Sequence, residues 1–137
     1  MKHAGKSVLA VLGGYIAAIA LTGGVGFVMY QIWDLAGIGK FEWHHPPYYS
    51  WATLTMDLGR LVLALVGGGF VASRIARRAP IWHAAAVGAL ILGPMAAQGF
   101  PDPTARPAWY WLATLAAIVP AALLGGWLSS HRRRVMA

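Results

Sequence analysis

Two charged residues stand three apart within an apolar stretch, Asp57 and Arg60 in Met56-Asp57-Leu58-Gly59-Arg60. On a helix this i, i+3 spacing puts both side chains on one face, close enough to pair. If Trp51 marks the outer edge of a hydrocarbon layer, Arg60 lies about 13 Å below it at 1.5 Å per residue, near the middle of a core roughly 30 Å thick. A charge at that depth costs roughly 2.5–3.5 kcal/mol on insertion scales, so such residues mark substrate counter-ions, proton relays or gates. Gln31, Gln98, Tyr30 and Tyr48 are the uncharged polar residues that can complete a pocket in the same outer half. A second reading leaves Trp51–Asp57 among the headgroups, with Arg60 snorkelling outward and Asp57 neutralising it. The apolar run after Arg60 is long enough to keep both readings open.

A second group of reactive residues lies in Phe41-Glu42-Trp43-His44-His45-Pro46-Pro47-Tyr48-Tyr49. Glu42, His44 and His45 are candidate ligands for a divalent metal, since imidazole suits Zn, Cu, Fe and Ni. Adjacent histidines on a loop rarely converge on one ion, and no H-E-x-x-H motif accompanies them. The alternatives are an interfacial loop with its Trp and Tyr rings at headgroup level, or an aromatic docking surface. His83 and His131 are a candidate haem pair only if two opposed imidazoles meet at one depth. Gly67-Gly68-Gly69 lacks the Lys-Ser/Thr of a phosphate loop and reads as a packing or hinge feature. The chain has no cysteine, which excludes disulfides, thiolate metal sites and cysteine nucleophiles.

The elements that position these residues follow from composition. The 137 residues are 58% hydrophobic and 11% charged, with mean hydropathy +0.58. A soluble domain carries about 25% charged residues, so this composition requires lipid as the main solvent. Four apolar segments occupy about 8–33, 51–75, 81–99 and 108–130 in a single transmembrane domain, 1–137. Only helices satisfy their own backbone groups in hydrocarbon, so the expected fold is all-α, an integral membrane four-helix bundle. In the first segment Ala18-Ile19-Ala20 mimics a signal-peptide cleavage site, but the apolar run continues to Trp33 and is read as a retained helix. Pro94 and Pro120 fall inside the third and fourth segments and are expected to kink them.

Orientation follows from the basic residues. Lys2, Lys6, Arg74, Arg77, Arg78, Arg132, Arg133 and Arg134 fall on one side, eight of the eleven Lys and Arg residues. All four acids (Asp34, Glu42, Asp57, Asp102) fall in the opposite half. The positive-inside rule then places both termini in the cytoplasm, N-in and C-in. The net charge of +7 has the same cause, with anionic lipid at the cytoplasmic face as partner rather than nucleic acid.

Small residues recur every four positions: Gly14, Ala18, Thr22, Gly26 in the first segment, Ala64, Gly68, Ala72, Ala76 in the second, and Ala113, Ala117, Ala121, Gly125, Ser129 in the fourth. In the third, Ala84 and Gly88 are flanked by Ala85, Ala89, Gly93 and Ala97. Such stripes let helix backbones approach closely, either within the bundle or between subunits. Gly68-Gly69-Phe70-Val71-Ala72-Ser73-Arg74 also resembles Gly125-Gly126-Trp127-Leu128-Ser129-Ser130-His131 at an offset of 57. That match suggests two duplicated helical hairpins about an axis along the membrane normal.

In length, Ala/Gly/Arg bias and layout, with the turn Gly68-Gly69-Phe70-Val71-Ala72-Ser73-Arg74-Ile75-Ala76-Arg77-Arg78-Ala79-Pro80, the chain resembles small four-helix bacterial integral membrane proteins of unknown function. The resemblance implies the architecture and no activity. Small multidrug exporters carry a glutamate in their first helix, and this first segment has none; quinone-linked thiol oxidoreductases need cysteine pairs. The leading expectation is a non-enzymatic membrane protein acting by association, as an accessory, assembly or scaffold subunit or a homo-oligomer in a bacterial inner membrane. The alternative is a small transporter or channel using Asp57 and Arg60. A third is a metal- or haem-binding redox subunit. No cofactor is expected.

Overall fold

Long apolar runs in hydrocarbon leave the backbone one local way to pair its own N–H and C=O groups, the α-helix, even where Pro94 and Pro120 interrupt the bonding of α3 and α4. The computed structural model describes residues 2–36, 51–76, 79–97 and 107–135. It contains four helices: α1 (Lys2–Leu35), α2 (Trp51–Ile75), α3 (Pro80–Ala97) and α4 (Ala108–Val135). α2 coincides with the expected segment. α1 and α4 run past theirs because Lys2–Ser7 and His131–Val135 contain no proline to stop a helix, so the helices outlast their apolar stretches. Each helix holds a span long and apolar enough to cross a membrane: Gly5–Ile32, Thr53–Ile75, Pro80–Ala97 and Ala108–His131.

The small residues set how closely these helices meet. A Cβ added to Gly14 would stand 2.7 Å from the Gly68 carbonyl oxygen, and one added to Gly68 would stand 2.7 Å from that of Gly14. Further along, Leu21 meets Gly67 and Arg60 meets Gly26, so α1 and α2 run antiparallel. α3 and α4 are also antiparallel, joined by Ala84 on Gly126 and Gly88 on Ala122. α2 and α4 cross reciprocally. A Cβ on Gly69 would lie 2.1 Å from the Ala122 carbonyl oxygen, and one on Gly125 would lie 2.0 Å from that of Val66. With Trp51 stacked on Trp109 near their starts, these contacts show α2 and α4 running in one direction. The helix alternation gathers the start of α1, the end of α2, the start of α3 and the end of α4 at one end of the bundle.

α2 touches every other helix, whereas α1 and α4 do not meet among the described residues. The centre is Leu65, Ile118 and Ala121, with Leu61, Ile91, Met95 and Leu115 packed around it. Much of the remaining buried set is alanine. The outer faces carry large apolar side chains, including Leu9, Ile16 and Phe27 on α1, Leu63 on α2 and Leu112 on α4. Soluble monomers rarely expose such continuous apolar area.

The end of α2 and the start of α3 are tied together by a hydrogen bond between described residues. The Ser73 hydroxyl donates to the Pro80 carbonyl at 2.8 Å, and the Trp82 N–H donates to the Ala79 carbonyl at 3.1 Å. Ala79 has φ 48°, a left-handed conformation that costs a non-glycine residue about 1–2 kcal/mol. Pro80 opens α3, where its missing N–H and fixed φ fit the first helical turn.

Candidate functional site

Asp57 and Arg60 lie one helical turn apart on the same face of α2, the face turned into the bundle. Their side chains are 20% and 16% exposed, respectively. Arg60 Nη2 donates to Asp57 Oδ1. The Tyr110 hydroxyl, on a side chain only 3% exposed, donates to Asp57 Oδ2. One carboxylate therefore accepts from both its own helix and α4. The Arg60 guanidinium reaches the other way, against α1. There a Cβ on Gly26 would come within 2.5 Å of Arg60 Nη1, so the missing side chain at Gly26 makes room for the cation.

These groups line a cavity of about 110 Å³. All four helices contribute: Thr22 from α1, Leu61 beside the ion pair on α2, Met95 from α3, and Trp111 and Thr114 with Tyr110 on α4. A water needs only about 10–15 Å³ on this scale, so the space holds several waters or a compact head group. Thr22 already donates to the Ala18 carbonyl at 2.8 Å. The other two polar walls differ. Thr114 Oγ1 and Trp111 Nε1 are buried and make no hydrogen bond in the structure. Thr114 is 2% exposed. Buried polar atoms without partners are uncommon in folded chains and call for an explanation, such as a bound solute.

The remaining candidates separate from this centre. Gln31 is exposed on α1 and does not line the cavity. Five residues past Gly26 is about 140° around a helix, which turns Gln31 away from Arg60. Tyr30 is also exposed. Gln98, Tyr48, Glu42, His44 and His45 lie outside the described residues, as do Arg77 and Arg78. Arg74 lies in the last turn of α2, its guanidinium 6.0 Å from the Phe70 ring centroid, while Arg132, Arg133 and Arg134 belong to the last turns of α4. His83 Nδ1 donates to the Ala79 carbonyl at 2.9 Å, and the His131 ring stacks on Trp127 at 5.3 Å. Among the described residues, no three His, Cys, Asp or Glu side chains gather into a metal-binding group.

Tyr110, Trp111 and Thr114 were missed from sequence because an aromatic triplet at the start of a span reads as an interfacial belt. The Trp109 ring stacks on that of Trp51 at 4.5 Å, near the starts of α2 and α4. The available signal was the i, i+3 and i, i+4 spacing of Trp111 and Tyr110 to Thr114, which places all three on adjoining faces of one helix. No family model, no curated protein and no solved structure matches the chain.

Proposed function

We propose that this is a small multi-pass membrane protein of the transporter or channel class, binding its ligand at the Asp57–Arg60–Tyr110 centre. The observation that carries this reading is the pair of unpartnered polar groups, Thr114 Oγ1 and Trp111 Nε1, on the same cavity as the paired charges. A pair serving stability alone would favour close packing over a polar space, since burying charges in low dielectric is costly in itself.

The basic residues at one end of the bundle support a cytoplasmic location for both termini in a bacterial inner membrane, with anionic lipid at that face. The site then lies in the outer half, because Asp57 follows the start of α2 by six residues. The reciprocal Gly69–Ala122 and Gly125–Val66 contacts relate α2 to α4 one residue away from the sequence match, and α2 meets α3 whereas α1 does not meet α4 among the described residues, so these contacts do not carry the expectation of duplicated hairpins.

The absence of cysteine permits a clean test. In Thr114→Cys, a small charged thiol reagent applied from the outer side of an intact bilayer is expected to label residue 114. Ile118→Cys, one turn deeper in the core, is expected to stay unlabelled. A residue 114 that is inert from the outer side contradicts the reading.

A second reading, association with itself or with other membrane subunits, is favoured by Ala89, Gly93 and Ala97, an exposed small-residue row on α3. The other stripes are largely engaged inside the bundle. The row is expected to support a defined oligomer or co-purifying subunits in mild detergent; a lone monomer counts against it.

A further inference from the structure

A second cavity of about 200 Å³ lies between α1, α2 and α3. Its walls include Thr22, Leu61 and Met95, which also line the polar cavity, so the two spaces adjoin. Elsewhere, Tyr15 apart, it is bounded by apolar groups, among them Ile19 and Leu90, both exposed on the outer face of the bundle. The groove thus opens sideways, towards what would be hydrocarbon. Pro94 stands in its wall. A proline inside a helix loses one backbone bond and bends the axis, which suits the slight contact between α1 and α3.

An apolar groove leading from the lipid-facing surface to a polar pocket matches an amphiphile with its tail in one and its head in the other. The head's chemistry follows from the groups around it. Asp57 and Arg60 already neutralise each other, so a head with its own full charge would lack a counter-ion in a low-dielectric site. The Trp111 indole N–H can only donate, while the Thr114 hydroxyl can donate or accept. The ligand must therefore present an acceptor. We propose that the site admits, laterally from the membrane, a neutral single-chain amphiphile with a compact carbonyl head that accepts from Trp111 Nε1–H. This rests on the reading of the polar cavity as a binding site and names its ligand class and route.

The test uses the full chain in detergent micelles with ¹⁵N-labelled indoles, the Trp111 resonance being assigned by its loss in Trp111→Phe. The probe is 2-tridecanone, with tridecane and tridecanoate for comparison. The ketone is expected to shift the Trp111 N–H resonance saturably, and tridecane to leave it in place. Leu90→Trp, which fills the mouth of the groove at an exposed position, is expected to weaken the apparent affinity about tenfold or more, a loss of roughly 1.4 kcal/mol or greater. No shift with the ketone, an equal shift with tridecane, binding of tridecanoate as tight as that of the ketone, or undiminished binding in Leu90→Trp would each overturn the proposal. The two readings fail separately. If residue 114 is labelled from water while the ketone is silent, the site stands and the lipid route falls. If both are silent, both fall.

Discussion

Asp57 holds three parts of the bundle in relation. Its carboxylate accepts from Arg60 on its own helix and from Tyr110 on α4, while Arg60 rests against the gap left by Gly26 on α1. Removing one charge of such a pair leaves the other uncompensated, a loss of about 3–5 kcal/mol at well-buried sites. Exposed pairs are worth about 0–1 kcal/mol. Asp57→Asn and Arg60→Met are therefore each expected to destabilise the protein by about 3 kcal/mol, and the double variant by much less than their sum. Unfolding titrations in mixed micelles measure this coupling; additive losses would place the pair at the surface. The pairing itself was legible in the i, i+3 spacing. Tyr110 was not, because three consecutive aromatics point about 100° apart on a helix and spacing alone leaves open which one turns inward.

The helices were legible as elements, since each apolar run is near the length that hydrocarbon demands. Their ends were less so. Hydropathy stops where charge begins, but helix geometry continues through the basic ends of α1 and α4. The small-residue stripes showed that helices would approach closely without showing which neighbour each stripe meets. The structure resolves this at Gly125, where an added Cβ would stand 2.0 Å from the Val66 carbonyl oxygen and 2.8 Å from the Phe70 nitrogen, both rigid backbone. Gly125→Ala must push α2 and α4 apart and is expected to cost about 2–3 kcal/mol, as overpacking does in a dense core. Gly23→Ala meets nothing within 4 Å and is expected to leave thermal stability in detergent essentially unchanged. Equal behaviour of the two variants would contradict the described α2–α4 crossing.

At the scale of the whole molecule, one arrangement unites the observations. Four helices long and apolar enough to cross a membrane alternate in direction, so their basic ends collect at one end and the Asp57 site lies toward the other. Charge asymmetry carried that arrangement in the sequence. The loop with Glu42, His44 and His45 falls outside the described residues, and the cavity depends on side chains from four separate helices that no local pattern could bring together. The most direct measurement of the spanning arrangement places single cysteines, in a chain that has none, at Ser7, Ser130 and Ala108 and applies a membrane-impermeant maleimide to intact cells. Residue 108 is expected to react at once, and residues 7 and 130 only after the membrane is permeabilised. Labelling of 7 and 130 from opposite faces, or a chain that stays monodisperse in buffer without detergent, would contradict it.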